Sequence, residues 1–408
     1  MSPLDAVDAL RREMEQELAR GILPYWMERA RDPRRGGFVG SIGADDVPDP
    51  EAPRGSILNA RIVWTFSAAY AALDDPAYRL MADGAAEWFL THFIDPRHGG
   101  VYWMIAADGT PVDARKHVYA QAFAVYALAE HARATGSEAS LDAAIALFRL
   151  IERHAHDDVH GGYQEAFSRE WALLDDARLS EVDADERKSM NTHLHLLEAY
   201  TALHRVWPDA RVSARLRELA GLFLDRIVIS ASAHMSGFFD DDWTPRPRGV
   251  SYGHDIEASW LLLEAAGELG DTALRERARG LSVRMARAVL DEAYDAEHGG
   301  IVYHRHADGT LDDGKEWWPQ AEAVVGFLSA WEETDDDEFL DAALGSWAFI
   351  REHVVDRRNG EWFRRVSREG VVEPGHEKAG PWKCPYHNAR ACLEAMARAG
   401  RVRAAAAA

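Results

Sequence analysis

Cysteine is almost absent: the 408-residue chain carries two, Cys384 and Cys392. Eight residues apart on one expected helix, they cannot bridge, which excludes a disulfide framework and fits a reducing compartment. No redox or zinc spacing accompanies them. Positive charge is also scarce. Against 68 Asp and Glu stand 46 Lys and Arg, a formal charge of −22, which argues against nucleic acid and anionic membrane surfaces as partners. No run reaches the ~18 to 20 apolar residues of a membrane span. The charged amphipathic stretch Leu10 to Leu18 lacks the basic start and apolar core of a signal peptide, so the expected location is the cytoplasm. No Gly-rich phosphate loop precedes a helix, leaving nucleotide or nicotinamide cofactors without support.

What the chain does have is a repeat. Turns of the form Asp-x-x-x-Gly, followed by Gly or Glu and then aromatic or apolar residues, begin at Asp32, Asp95, Asp157, Asp295 and Asp356, at intervals of 63, 62, 138 and 61. The long interval is about twice the period, and Ser236-Gly237-Phe238-Phe239 marks a degenerate copy inside it. Each of the six units has an amphipathic helix before the turn, a β-prone segment after it, and then a more apolar helix. The first kind is expected near 8–30, 78–94, 139–156, 210–228, 272–292 and 338–355. The second is expected near 57–73, 117–134, 189–205, 253–269, 317–333 and 384–399. Six outer and six inner helices closing into one ring describe an all-α (α/α)6 barrel with short β-hairpin segments in its loops. No linker divides it, so residues 1–408 are expected to form one catalytic domain.

In such a ring the inner helices run parallel and their N-termini meet at one mouth, where backbone N–H groups and dipoles also point. Polar and aromatic residues crowd those first turns: Asn59 and Arg61; His117, Tyr119 and Gln121; Asn191, His193 and His195; His254 and Glu257, with Trp260; Trp317, Trp318 and Glu322; Trp382, Tyr386, His387 and Asn388. Packing alone accounts poorly for six helices doing this independently, although His193 reads as a satisfied interior histidine and Trp318 and Trp382 taken singly as core. Histidines suit proton transfer near neutral pH, carboxylates orient them or bind hydroxyls, aromatic faces suit sugar rings, and Arg61 suits a developing enolate oxygen. His193 and His195 point about 200° apart on a helix and cannot chelate together, so no metal is expected.

Met190-Asn-Thr-His-Leu-His195, Gly253-His-Asp-Ile-Glu-Ala-Ser-Trp260, Trp317-Trp-Pro-Gln-Ala-Glu322 and Gly380-Pro-Trp-Lys-Cys-Pro-Tyr-His-Asn388 resemble the signature segments of cellobiose 2-epimerases in the N-acylglucosamine 2-epimerase superfamily. The resemblance spans the chain, including Leu58 to Arg61 and Lys116 to Phe123. It implies an isomerase without cofactor that inverts C2 of the reducing sugar in β-1,4-linked disaccharides such as cellobiose, through an enediolate. By that resemblance His254 and His387 are the acid/base pair, His195 supports proton transfer, and Glu257 orients His254. Arg61, Asn191 and Tyr119 hold sugar oxygens, Trp382 stacks on the reducing sugar, and Trp260, Trp318 and Glu322 help position it. Asp183 assists ring opening from the loop Trp171 to Lys188, the longest insertion.

The alternatives are a mannose or glucose 2-epimerase or aldose–ketose isomerase acting on free monosaccharides, an inverting glycoside hydrolase using Glu257 and Glu322, and a sugar-binding protein. Oligomeric state is open between monomer and homodimer.

Overall fold

The computed structural model describes residues 2–180 and 184–407. Thirteen α-helices follow in order: α1 (Pro3–Glu17), α2 (Leu23–Glu28), α3 (Ser56–Leu73), α4 (Pro76–His92), α5 (Val118–Thr135), α6 (Glu138–His154), α7 (Met190–Val206), α8 (Ala210–Leu222), α9 (Tyr252–Glu268), α10 (Thr272–Ala293), α11 (Trp317–Thr334), α12 (Asp337–Phe349) and α13 (Tyr386–Ala407). Wider π-helical turns extend α1, α8 and α12 at Leu18–Ile22, Phe223–Ile227 and Ile350–Val354. Helices α3, α5, α7, α9, α11 and α13 pack each on the next, and α13 packs back on α3 to close the inner ring. Residues along α3 and α5 are buried on all sides almost to their last turn, as expected of an inner helix.

The expected helix positions hold, and the packing pairs run across the boundaries of the sequence units. Each outer helix packs most closely on the inner helix that precedes it, across links as short as Asp74-Asp75 or Gly136-Ser137, and α1 packs on α13 at the far end of the chain. Asp75, Ser137, Asp209, Asp271 and Asp336 cap these outer helices, each accepting a backbone N–H of the first turn.

Hairpins exist within the loops, as at Met104–Ile105 with Pro111–Asp113, but most strand pairing joins neighbouring repeats. Arg54–Gly55, Lys116–His117, Lys188–Ser189, Gly249–Ser251 and Lys315–Glu316, each just before an inner helix, pair antiparallel with the next repeat at Met104–Ile105, Ala166–Phe167, Phe238–Phe239, His304–His306 and Arg365–Val366. An Ile42–Ala379 bridge completes the circle. These staples hold the inner-helix N-termini in one layer.

The Asp turns are anchored twice. Asp95 Oδ1 accepts the backbone N–H groups of Arg97 and His98, and Asp32, Asp157, Asp295 and Asp356 do the same in their turns. Each also meets a buried cation from the segment leading into an inner helix: Arg54 with Asp32 at 2.5 Å, Lys116 with Asp95 at 3.1 Å, Lys188 with Asp157 at 2.7 Å, Lys315 with Asp295 at 3.1 Å and Lys378 with Asp356 at 2.9 Å. In the degenerate repeat the corresponding positions are Ile229 and Val250, so both ionic partners are replaced together. At Gly162 the second glycine of the turn is favoured for two reasons. Gly162 has φ 74°, and a Cβ there would lie 2.4 Å from Trp243. Glu361 occupies that position in the last repeat with φ 62°, held by Lys383, Asn388 and Trp26 on its carboxylate.

Candidate active site

Because the repeats are in register, the sixth residue of α3, α5, α7, α9 and α11 falls in one layer of the ring: Arg61, Phe123, His195, Glu257 and Glu322. Arg390, the fifth residue of α13, completes it. One turn nearer the mouth stand Tyr119, Asn191, His254, Trp318 and His387. A cavity of about 450 Å³ opens above this layer, lined by Arg61, Tyr119, Asn191, His195, His254, Glu257, Trp318, Trp382 and His387. Nine of the expected site residues are therefore brought together.

Trp260 and Glu322 lie beneath the cavity wall. Trp260 is buried, and its indole N–H donates to Glu322 Oε2 at 3.1 Å, so it braces a carboxylate instead of meeting a sugar. Asp183 lies outside the described residues. His193 is an interior clamp, accepting the Tyr163 N–H at 2.9 Å where Gln121 and Gln320 hold the matching loops in their repeats.

The floor is ionic. Arg390 donates through one terminal nitrogen to Glu257 at 2.5 Å and Glu322 at 2.7 Å, and through the other to Glu198. Glu322 Oε1 also meets His387 Nδ1 at 2.7 Å. Glu198 receives the Tyr386 hydroxyl on one oxygen and meets His195 Nδ1 at 3.0 Å with the other. An ionised carboxylate only accepts, so Nδ1 of His387 and of His195 carries the proton and Nε2 is the basic nitrogen.

The expected bond between Glu257 and His254 is not made. His254 Nδ1 meets Ser251 Oγ at 2.7 Å, one turn back on its own side, while Glu257 is drawn to Arg390. The i, i+3 spacing placed both on one face, but a buried guanidinium is the stronger partner for a buried carboxylate. Both candidate acid/base histidines pack against Trp318, with ring centroids 4.7 Å away for His254 and 5.5 Å for His387. Burial is the main cause that lowers both, His254 to about 3 with His195 adding to it, and His387 well below the histidine range with Arg61 and Arg390 adding to it. Each is a neutral base at physiological pH.

Arg61 stacks on Phe123 and Tyr386, donates to the Tyr119 hydroxyl at 3.0 Å, and keeps a buried Nε without a partner. Asn191 Oδ1 is likewise unpartnered, both atoms being without a partner among the described residues. Cys384, expected on the last helix, lies in the turn before it with its sulfur 3.8 Å from Arg61.

Sequence reading missed Arg390 and Glu198, although both were legible as i+3 partners of His387 and His195 on their helices. It also missed Leu179, Ser180 and Tyr303, which line the cavity from loops. Glu257, Glu322 and His387 form a group of metal-ligand type that the histidine spacing alone did not suggest, but Arg390 bonds both carboxylates and supplies the positive charge there.

The sequence profile described as N-acylglucosamine 2-epimerase (GlcNAc 2-epimerase) matches residues 36–391. A cellobiose 2-epimerase of Bacteroides fragilis is 45% identical over 95% of this chain and 99% of its own length. The structure of cellobiose 2-epimerase from Bacillus thermoamylovorans B4167 superposes with a TM-score of 0.92 at 38% identity, covering 96% of this chain and 100% of that one. The corresponding enzyme structure from Spirochaeta thermophila DSM 6192 gives 0.89 at 40% identity, covering 97% and 98%. The histidines, carboxylates and aromatic residues gathered at one mouth of a helical ring thus belong to a chain that is similar to these isomerases from end to end, and it is a member of the N-acylglucosamine 2-epimerase family.

Proposed function

We propose that this enzyme interconverts glucose and mannose at the reducing end of β-1,4-linked disaccharides such as cellobiose. The observation that carries the reading is the pair His254 and His387: two neutral imidazoles from different helices, both lining one cavity and both packed on Trp318. Inverting C2 requires a base that removes the proton on one face and an acid that returns one on the other. Arg61 and Asn191, with buried polar atoms still unpartnered, are placed to take the C1 and C2 oxygens. His195, oriented by Glu198, supports the transfer.

Room for a second sugar favours a disaccharide. Beyond Trp382 the cavity adjoins a further hollow of about 400 Å³ lined by Ile57, Trp103, Arg115 and Pro381, with Trp382 and Leu179 common to both. Trp382 therefore stands where a stacked ring would pass between them.

Arg390 bonds both Glu257 and Glu322 and supplies positive charge between them, which supports catalysis without a metal. Among the described residues no helix is long and apolar enough to cross a membrane.

Incubation with cellobiose tests the reading. Glucosylmannose is the expected product; free glucose would indicate hydrolysis. Unchanged cellobiose together with conversion of free mannose or glucose would indicate a monosaccharide enzyme.

A further inference from the structure

The three carboxylates around Arg390 are not equivalent. Glu322 receives His387 Nδ1 and Arg390 on one oxygen and the Trp260 N–H on the other. Glu198 receives Tyr386 and Arg390 on one oxygen and His195 on the other. Every oxygen of these two groups faces a donor, which is the environment of an ionised carboxylate. Glu257 differs: Arg390 reaches its Oε1, and Oε2 is buried with no partner among the described residues. That side chain is 1% exposed and forms part of the cavity lining.

Charge points the same way. The groups facing Glu257 are Arg390, His387 and Tyr386 from α13, Glu322 from α11, Glu198 and His195 from α7, Tyr119 from α5, and His254 on its own helix, with Arg61 of α3 across the cavity. The imidazoles are neutral, so two arginines face three carboxylates in a buried site. Burial first, and then the Glu322 charge, push the Glu257 carboxyl far above the usual carboxylate range.

We propose that Glu257 is a catalytic acid, holding a proton on Oε2 at neutral pH and donating it to the sugar carbonyl oxygen as C2 is deprotonated. The proposal rests on the epimerase reading. In the forward half-reaction the C2–H and Glu257 O–H bonds break. The C2 proton goes to the basic nitrogen of one histidine, the C2 electron pair becomes the C1=C2 bond, and the carbonyl π pair takes the Glu257 proton to give a neutral enediol. In the return half, Glu257 takes that proton back from O1, the first imidazole gives its proton to solvent, and the imidazole on the other face takes one from solvent and delivers it to C2, so that both end neutral.

The test compares Glu257→Gln, which keeps a hydrogen-bond donor but no transferable proton at this position, with Glu257→Ala, and follows the protonated-carboxyl carbonyl band by infrared difference spectroscopy on the wild-type protein. The expected results are a band at neutral pH that is absent from Glu257→Gln, and cellobiose turnover in Glu257→Gln lowered by ~10² or more, because an amide can hydrogen-bond to the carbonyl oxygen but gives it no proton. Glu257→Ala should fall by ~10² to 10⁴. Wild-type turnover should decline as alkali removes the band, and Glu257→Gln should lack that decline. A wild type active on cellobiose but without the band, or a folded Glu257→Gln that turns over cellobiose within about threefold of wild type, would overturn the proposal. Wild type inactive on every sugar would instead fault the epimerase reading, and the band is read independently of it.

Discussion

His387 Nδ1 lies 2.7 Å from Glu322 Oε1, and Glu322 is itself held by Arg390 and Trp260. The carboxylate fixes the tautomer that leaves Nε2 basic and stabilises the imidazolium that forms when His387 accepts a proton. Glu322→Gln offers an amide that can donate to Nδ1 and select the wrong tautomer. The expected outcome is a fall in kcat of ~10² to 10⁴ with KM little changed. Steady-state kinetics on cellobiose, with melting curves confirming the fold, check it; a loss within threefold contradicts it.

Trp382 is half-buried and meets Trp103 and Tyr119 edge-on, with centroids 6.2 and 6.0 Å away. As a wall of the cavity, it contributes more to the complex than to the core. Trp382→Ala should raise KM and lower turnover, at a cost on the order of 1 to 3 kcal/mol in kcat/KM, and leave the melting temperature nearly unchanged. A large drop in melting temperature with unchanged KM would make it a core residue.

The repeat ion pairs carry stability. Lys378 and Asp356 are buried and 2.9 Å apart, and Lys378→Met leaves the carboxylate without its cation. A loss of about 3 to 5 kcal/mol is expected. Because Ile229 and Val250 occupy these positions in the degenerate repeat, Lys378→Met with Asp356→Leu should cost less than the sum of the single changes. Calorimetry of the three variants decides it.

Much of this was legible beforehand. The Asp turns set the repeat, the apolar stretches between them set the inner helices, and the position within each helix picked out Arg61, His195, His254, Glu257, Glu322 and His387. Pairing across elements was not legible. Nothing local to His254 and Glu257 tells that Arg390, 133 residues from Glu257, competes for the carboxylate. Nor does the sequence around Lys116 or Lys315 announce an ion pair with an Asp some twenty residues earlier, although a similar spacing recurs in every such pair but Asp157 with Lys188. Loop residues such as Tyr303 and Leu179 follow no helical period.

Acid should destabilise the protein through its buried neutral histidines. Burial is the largest cause that lowers His193 to about 4 and His117 to about 3 from the ordinary 6.5. The unfolded chain therefore binds protons near pH 6.5 that the folded chain refuses until pH 4 or below. Each group contributes stability above pH 6.5 that is lost as pH falls through that window, at up to ~1.4 kcal/mol per pH unit. Melting temperatures from pH 7 to 4 should fall steadily, and His193→Gln, which copies the clamp that Gln121 and Gln320 form in their repeats, should flatten the slope.

The most direct test of the two-histidine relay is epimerisation of cellobiose in deuterated water, followed by proton NMR of C2. Histidine protons exchange with solvent between turnovers, so deuterium should appear at C2 of both epimers, and His254→Asn or His387→Asn should lose epimerisation by at least ~10² while one of them still exchanges the C2 proton of a single epimer. Epimerisation that continues at long times with no deuterium at C2 would contradict the account.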